Sequence, residues 1–298
     1  MQTTMTDKTI RLPDGRHLGY VEYGDPEGRP LLFFHGIPGS RLQAKVFDAP
    51  ARDASVRMVA PERPGHGLSD FQPERTILDW AHDVEALADS LHLERFAVMG
   101  ISGGGPYAAA TAYQLPGRVT KLALVSTVCP LTFPGVTAGM LPAVRLLFRL
   151  ARRAPWAVNL MMRGMARSGN NPERARKRAL SNRRLPPADI AVIEHGEFSK
   201  TLFVGSREAF RHGTRGAAWD FVLCARPWGF RLEDIQVPTL LWHGEADVNA
   251  PVSMGRAIAR TIPNCQATFV PGEGHLSLAR KHMDEILRSI FSEETSVS

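Results

Sequence analysis

Cysteine and lysine are both scarce in this chain of 298 residues, and it contains no long apolar run. Cys129, Cys224 and Cys265 are scattered, with no C-x-x-C spacing. This pattern argues against a disulfide framework and a zinc site, and it fits a reducing compartment. No stretch approaches the ~18 apolar residues of a membrane-spanning helix, and the first residues lack the pattern of a signal peptide. We therefore predict a cytoplasmic protein without a metal.

Arginine outnumbers lysine 30 to six and carries most of the formal net charge of +6. Between residues 141 and 184, twelve basic residues accompany one acid. Arg145, Arg149 and Arg152 follow the spacing i, i+4, i+7, which places them on one face of a helix predicted over Pro142–Ala154. We expect a solvated face; attraction of an anionic substrate or an anionic membrane surface is the alternative. No aromatic interleaving accompanies the charge, so no nucleic-acid partner is expected.

Short apolar runs alternate with helical patterns in the first and last parts of the chain. Two strands joined by the turn Pro13–Gly15 are predicted at Ile10–Leu12 and His17–Tyr23. Six further strands are predicted at Leu31–Phe34, Val56–Ala60, Phe96–Met99, Leu122–Val125, Thr239–Trp242 and Ala267–Val270. Helical apolar spacing predicts helices at Thr76–Leu91, Tyr107–Tyr113, Pro251–Ile262 and Leu276–Phe291. Strands that alternate with helices indicate an α/β protein with a doubly wound, parallel sheet.

Strand signals vanish between the sixth and seventh predicted strands. The sequence there indicates helices broken by proline and glycine, one of them over Pro187–Arg211. The simplest interpretation is a helical insertion over the sheet. We therefore predict a first part of the core at residues 1–129, a helical cap at 130–230 and a second part of the core at 231–298.

Residues Gly100–Gly104 read Gly-Ile-Ser-Gly-Gly, which matches G-x-S-x-G directly after a strand and before a helix. In this motif the serine occupies a strained turn that lifts its hydroxyl above the sheet edge, and only small residues let the two backbones pass. Ser102 is therefore the candidate nucleophile. A glycine-rich turn with a passive serine is the alternative. A phosphate-binding loop is disfavoured because neither G-x-G-x-x-G nor a following lysine is present.

A serine hydroxyl needs a base to remove its proton, and an imidazole needs a carboxylate to fix its tautomer. Asp247 lies in the loop after the seventh predicted strand, and His275 lies between a glycine and a leucine after the eighth. Loops that follow neighbouring parallel strands can converge at one sheet edge. We predict Ser102 as nucleophile, His275 as base and Asp247 as the acid, in the order typical of this motif. Glu245 and Glu273 are alternative acids.

A second loop reaches the same edge after the third predicted strand. Residues His35–Ser40 read His-Gly-Ile-Pro-Gly-Ser. We predict that the backbone N–H of Ile37 and that of Gly103, at the start of a helix, form an oxyanion hole. Such donors are main-chain groups, so turn geometry matters more than side-chain identity.

With these motifs the chain resembles the α/β-hydrolase superfamily, in the branch with an H-G-x-P loop, from about Thr9 to the last helix. Arg63–Asp70 is similar to that family's turn after the fourth strand. The resemblance implies an α/β-hydrolase fold: a mostly parallel eight-stranded sheet, helices on both faces and an inserted helical cap. It also implies a serine hydrolase that needs no cofactor. Haloalkane dehalogenases and epoxide hydrolases share the loop but carry aspartate where this chain has Ser102, and the HGGPG loop of proline iminopeptidases is missing.

The predicted reaction transfers an acyl group from a small-molecule ester, thioester or lactone to water, as in carboxylesterases, lipases, lactonases and thioesterases. An anionic or lipid-like substrate, contact with a membrane surface, and a monomer or a homodimer all stay open. Two other classes of function are alternatives. The first is a perhydrolase, C–C hydrolase or acyltransferase on the same triad. The second is a ligand sensor with residual activity, because fold does not dictate function.

Overall fold

The computed structural model describes residues 7–168, 171–194 and 196–292. Within these ranges eight strands form one sheet: β1 (Lys8–Arg11), β2 (His17–Gly24), β3 (Arg29–Phe34), β4 (Val56–Pro61), β5 (Phe96–Ile101), β6 (Val119–Val125), β7 (Thr239–Gly244) and β8 (Cys265–Val270). Their order across the sheet is β1-β2-β4-β3-β5-β6-β7-β8. The β1–β2 and β2–β4 pairs are antiparallel and the other five are parallel, so the predicted mostly parallel sheet is confirmed.

Helices flank the sheet and fill the insertion. Before the insertion are α1 (Asp48–Asp53), α2 (Asp79–Ser90) and α3 (Gly105–Gln114). Between β6 and β7, within the segment 130–230 that we call the cap, are α4 (Pro142–Arg153), α5 (Pro155–Ser168), α6 (Pro172–Leu180), α7 (Pro187–Glu194), α8 (Glu197–Glu208) and α9 (Arg215–Ala225). The chain continues with α10 (Val252–Thr261) and α11 (Ser277–Phe291). In the described ranges, no helix is both long and apolar enough to cross a membrane.

The single helix predicted over Pro187–Arg211 is wrong. The structure has two helices there, α7 and α8, and Gly196 stands immediately before α8 with a φ of 72°. A residue in this left-handed region cannot continue a right-handed helix, and glycine adopts it at little cost. A single right-handed helix therefore cannot run through Gly196.

Alternate residues of the central strands pack on opposite faces of the sheet. Leu32 and Phe34 belong to a cluster that includes side chains of α2 and α3, whereas Leu31 and Phe33 belong to one that includes α1 and α11. This alternation follows from the period of two in a strand. Because β3, β5, β7 and β8 run parallel, the loops at their C-terminal ends lie at one edge of the sheet.

Asp220 on α9 links the cap to the core. Its buried carboxylate accepts hydrogen bonds from Arg63 Nε and the Tyr107 hydroxyl, both at 2.7 Å, and it pairs with Arg75. Arg63 follows β4, Arg75 precedes α2, and Tyr107 lies on α3. Burial disfavours an ionised carboxylate, but the two guanidinium groups outweigh burial and hold the pKa of Asp220 far below its usual range.

Replacing Asp220 with asparagine would leave two buried guanidinium groups without their counter-charge. Removing one partner of a buried ion pair typically costs ~3–5 kcal/mol. We therefore expect the free energy of unfolding of Asp220→Asn, measured in urea, to fall by about that amount. The control is Asp89→Asn, which removes an exposed ion pair with Arg118 and should cost less than ~1 kcal/mol. Equal losses in the two variants would contradict this role of Asp220.

Candidate active site

Ser102 lies where β5 turns into α3. Its φ angle is 54°, in the left-handed region that non-glycine residues rarely adopt. A Cβ atom on Gly100 would lie 2.6 Å from the carbonyl oxygen of Gly104, and one on Gly104 would overlap the carbonyl oxygen of Phe34. Glycine is therefore required at both positions, because the backbones of strand, turn and helix almost touch.

The structure brings together the three side chains selected from the sequence. His275 Nε2 lies 3.0 Å from Ser102 Oγ, and His275 Nδ1 lies 2.7 Å from Asp247 Oδ2. An ionised carboxylate can only accept, so Nδ1 carries the hydrogen and Nε2 is left to accept from the Ser102 hydroxyl. The three residues follow β5, β7 and β8, whose C-terminal ends share one sheet edge. In this arrangement an imidazole can remove the proton of a serine while a carboxylate orients the ring.

The Asp247 carboxylate is itself fixed by the loop that carries it. Its Oδ1 accepts hydrogen bonds from the backbone N–H groups of Asn249, at 2.8 Å, and Ala250, at 2.9 Å. The side chain is fully buried. Its other oxygen is therefore held towards His275, and the ring of His275 has a rigid partner.

The side chains of the two alternative acids form ion pairs with residues other than His275. Glu245 Oε1 lies 2.9 Å from Arg256, and Glu273 Oε1 lies 2.8 Å from Lys281. Of the carboxylates in the described ranges, only that of Asp247 contacts the ring of His275. These same ranges contain no group of three or more His, Cys, Asp or Glu side chains that could hold a metal ion.

The electrostatic environment of His275 shifts its pKa upward. Burial opposes the charged imidazolium, but the Asp247 carboxylate, with a smaller contribution from Asp189, outweighs burial and raises the pKa of His275 above its ordinary 6.5. The neighbouring His243 behaves in the opposite way, because burial lowers its pKa. Its Nε2 donates to the carbonyl oxygen of Ala250 at 2.7 Å, so His243 supports the loop as a neutral ring.

The loop His35–Ser40 lies against the turn that carries Ser102. A Cβ atom on Gly36 would lie 3.5 Å from Ser102 Cβ, and the side chain of Ile37 covers Gly103 so closely that a Cβ there would overlap it. Among the described residues none accepts a hydrogen bond from the N–H of Ile37. The N–H of Gly103 lies in the first turn of a helix, where amides have no intrahelical acceptor. Both groups predicted to bind an oxyanion are thus available beside Ser102.

Arg63 fixes the backbone of this loop. Its guanidinium donates to the carbonyl oxygens of His35 at 2.6 Å and Gly36 at 3.0 Å, while its Nε binds Asp220. Burial and the charge of Arg63 lower the pKa of His35, which stays neutral and donates from Nδ1 to Gly36 at 2.9 Å. The sequence indicated only that Arg63 belongs to a turn. Arg63 contacts residues as far as 157 positions away in the sequence, and a local sequence pattern cannot predict such contacts.

A cavity of about 710 Å³ opens onto Ser102 and His275. Its walls are largely apolar and come from both the core and the cap, including Phe33, Ile37, Phe47, Phe148, Phe198 and Phe221. A cavity of this size can enclose most of a small organic molecule. The cap residues in this wall were not singled out from the sequence, because aromatic residues in a helix look the same whether they line a cavity or pack in a core.

A family model described as alpha/beta hydrolase fold matches residues 29–281. The matched stretch contains β3 to β8 and all three of Ser102, Asp247 and His275. The chain therefore belongs to the alpha/beta hydrolase fold family.

Curated relatives carry several different names. The chain is 28% identical over 278 residues to a non-heme haloperoxidase of Rhodococcus erythropolis, covering 89% of this chain and 92% of that protein. It is 37% identical over 127 residues to a non-heme chloroperoxidase of Streptomyces lividans, covering 41% of this chain and 45% of the relative. It is 32% identical over 196 residues to a probable proline iminopeptidase of Streptomyces coelicolor, covering 61% and 55%. The chain thus spans about half the length of these last two relatives.

Solved structures show the same fold over nearly the whole chain. A hydrolase from Pseudomonas aeruginosa superposes with a TM-score of 0.68 at 21% identity, covering 98% of this chain and 100% of that one. An esterase from Rhodococcus sp. superposes with a TM-score of 0.66 at 22% identity, covering 97% and 100%. At these identities the likeness shows the fold, and the chemistry has to be argued from the site.

Replacing Asp247 with asparagine would remove the charge that outweighs the burial of His275. We expect kcat for a test ester to fall by about 10⁴, as in serine proteases with the corresponding change, and the pKa of His275, measured by NMR, to fall as well. Glu245→Gln is the matched control, since its exposed partner Arg256 lies away from the ring, and both quantities should stay near wild type. If Glu245→Gln were the damaging change, the assignment of Asp247 as the acid would be wrong.

Proposed function

We propose that this protein is a serine hydrolase that cleaves an ester bond through an acyl-enzyme at Ser102. The observation that carries the proposal is the chain of contacts from Asp247 through His275 to Ser102, with distances of 2.7 and 3.0 Å. As Ser102 Oγ attacks the carbonyl carbon, His275 takes the hydroxyl proton and then gives it to the departing alcohol oxygen. Water then attacks the acyl-enzyme, with His275 again as base, and the carboxylic acid is released.

Negative charge develops on the carbonyl oxygen during both steps. The N–H groups of Ile37 and Gly103 supply two hydrogen bonds to it, and the contacts of Arg63 with the carbonyls of His35 and Gly36 hold one of these donors in place. Preorganised donors of this kind typically contribute about 10²–10³ in rate each. The oxyanion is therefore stabilised by backbone groups that need no rearrangement during the reaction.

The cavity favours an apolar acyl or alcohol group of moderate size. Its volume of about 710 Å³ and its aromatic walls, to which Phe148, Phe198 and Phe221 of the cap contribute, suit a substrate with an alkyl or aryl portion. Each buried methylene contributes about 0.8 kcal/mol, or roughly fourfold in kcat/KM. The kcat/KM for straight-chain esters should therefore rise with chain length until the cavity is filled.

The similarity to a non-heme haloperoxidase over 89% of this chain favours one second candidate. In a perhydrolase reaction hydrogen peroxide replaces water as the attacking molecule, the acyl–Ser102 bond breaks, and a peracid leaves. Only the attacking molecule of the second step differs. The experiment measures the rate of peracid formation from an ester in the presence of peroxide and the rate of acid formation in its absence. The ratio of these rates compares the perhydrolase activity with the hydrolase activity.

Replacing Ser102 with alanine should abolish both ester hydrolysis and covalent labelling by a fluorophosphonate, because both need the nucleophilic oxygen. The measurement combines a panel of p-nitrophenyl esters of increasing chain length with the fluorophosphonate label. The control is Ser289→Ala, which changes a serine on α11 that does not line the cavity and should leave hydrolysis and labelling unchanged.

The same experiment separates an enzyme from a ligand sensor. Continuous multiple turnover of the p-nitrophenyl esters supports the hydrolase. One burst of product per protein molecule, followed by tight retention of the acyl group, supports the sensor. Labelling that persists in Ser102→Ala would show that another residue is the nucleophile.

A further inference from the structure

His275 is held by its backbone as well as by its ring. Asp189 Oδ2 accepts the N–H of His275 at 2.9 Å, and Asp189 Oδ1 accepts the N–H groups of Leu276 at 3.0 Å and Ser277 at 2.9 Å. Asp189 belongs to α7 of the cap and is only 1% exposed. A cap side chain therefore binds three successive amides at the start of α11.

The contacts of Asp189 supply the N-terminal cap that α11 lacks in its own sequence. The residue before the helix, Leu276, provides no side-chain hydrogen bond, and the first turn contains no acidic residue. The first amides of a helix have no intrahelical acceptor, and a carboxylate there interacts favourably with the helix dipole. A Cβ atom on Gly274 would lie 2.5 Å from both carboxylate oxygens of Asp189. Glycine at position 274 thus leaves the room that the carboxylate occupies.

Asp189 is a buried carboxylate with no cationic partner among the residues that the structure describes. It is satisfied by the three amides, and its charge acts on the ring of His275 together with that of Asp247. The titratable groups that surround His275 are Asp247 after β7, the neutral His243 on β7, Asp189 on α7, and the ion pair of Glu273 with Lys281 at 2.8 Å.

We propose that Asp189 is a positioning residue for His275: it ties the backbone of residues 275–277 to the cap and thereby keeps the imidazole in reach of both Asp247 and Ser102. This role rests on the proposed hydrolase function. The cap then does more than cover the cavity, because a shift of α7 would displace the base. The carboxylate of Asp189 therefore makes the position of His275 depend on the position of the cap.

The test replaces Asp189 with asparagine, which keeps the size, removes the charge and sets an amide N–H against a backbone N–H. We expect kcat to fall roughly 10²-fold, the loss that a displacement of about 1 Å can cause, while KM changes little. The pKa of His275, measured by NMR, should fall, because one of the two carboxylates that favour the imidazolium is gone. Asp83→Asn is the control: it removes a buried carboxylate paired with Arg16, neither of which lines the cavity, and should alter neither quantity.

A second variant covers the case in which Asp189→Asn fails to fold. Gly274→Ala pushes the carboxylate away without removing its charge, so kcat should fall while Ser102 remains reactive towards a fluorophosphonate at a reduced rate. The proposal is overturned if Asp189→Asn folds and keeps the wild-type kcat and His275 pKa, if Gly274→Ala keeps the wild-type kcat, or if Asp83→Asn lowers kcat and the His275 pKa equally. The NMR titration does not depend on turnover. A missing activity in the wild type would thus reject the proposed function and leave the His275 measurement intact.

Large apolar side chains are exposed on the outer side of α4 and α5. Trp156 is 74% exposed, Leu160 59% and Leu146 46%. On α5 the residues Trp156, Leu160, Arg163 and Arg167 follow the spacing i, i+4, i+7, i+11 and so share one face. Exposed large apolar side chains beside arginine are typical of helices that lie at a lipid interface.

The charge of this surface has one sign. Arg145, Arg149 and Arg152, predicted from the sequence to share a face, are exposed, and so are Arg153, Arg163 and Arg167. In the described ranges none of these six arginines has an ion-pair partner, and residues 141–168 contain no acid. The inner sides of the same two helices line the cavity through Val144, Leu147, Phe148 and Met165.

We propose that the outer face of α4 and α5 docks on an anionic phospholipid surface. The arginines supply the charge complementarity, and Trp156, Leu160 and Leu146 supply the apolar insertion. A second copy of the chain is the weaker occupant, because it would set six positive charges against six others. Docking would place the cavity, whose wall is the other side of the same helices, next to a source of lipid-like esters.

The test measures binding to vesicles of phosphatidylcholine with and without phosphatidylglycerol, using the inactive Ser102→Ala protein so that hydrolysis plays no part. We expect binding only with phosphatidylglycerol. Changing Arg149, Arg153 and Arg163 together to glutamate should weaken it by at least roughly fivefold per residue, and Trp156→Ala should weaken it further. The control changes Arg260, Arg280 and Arg288 on α10 and α11 to glutamate, which alters the net charge equally.

Equal loss of vesicle binding in the two triple variants would mean general charge attraction and would overturn the docking face. So would binding that does not depend on phosphatidylglycerol. Sedimentation velocity adds one further outcome: a dimer that Trp156→Ala dissolves would show a second copy on this face instead. We expect the α4–α5 variants to hydrolyse soluble esters at the wild-type rate. Membrane docking is thereby tested separately from the proposed hydrolase function.

Discussion

The carboxylate of Asp220 binds Arg63, Arg75 and Tyr107, which come from three separate parts of the core. Asp220 itself lies on the last helix of the cap. The guanidinium of Arg63 also donates to the carbonyl oxygens of His35 and Gly36. The ion cluster is therefore connected to the loop beside Ser102. A buried ion cluster is not by itself a net source of stability, because desolvation opposes it. Its value here is geometric: the guanidinium groups of Arg63 and Arg75 and the Tyr107 hydroxyl all bind one carboxylate, and this arrangement fixes the cap and the loop His35–Ser40 together.

Much of the core could be predicted from the sequence because the signals there are local. The central strands, such as β3, β5 and β7, are short apolar runs that are almost entirely buried, so composition alone identifies them. The positions of Ser102, Asp247 and His275 followed from topology, since residues after parallel strands meet at one edge. Boundaries were less accurate. Helix α2 begins at Asp79 and not at Thr76, because Thr76 and Asp79 bond each other's backbone N–H groups, at 2.7 and 3.3 Å, before the helical hydrogen bonds start.

The contacts made by the cap could not be predicted in this way. Asp189 lies 86 residues before His275, and Asp220 lies 157 residues after Arg63. An aspartate in the first turn of a helix is ordinary, so the sequence around Asp189 indicates a helix start and nothing more. Gly274 gave a partial signal, because a glycine directly before the base can mark a close approach. The identity of the approaching group depends on how six cap helices pack, and helical periodicity does not encode that packing.

The cap therefore combines two tasks that are subject to different constraints. Phe148, Phe198 and Phe221 shape the cavity and can change with the substrate, since an apolar wall tolerates other apolar residues of similar volume. Asp189 and Asp220 cannot change in this way, because each satisfies buried donors that no apolar residue can serve. In the proposed hydrolase, cap helices of different sequence could thus accept different esters on the same core, provided that one carboxylate still reaches the amides of residues 275–277 and another still reaches Arg63. Under the proposed function, substrate specificity can vary within the cap while the positions of His275 and of the loop His35–Ser40 are retained.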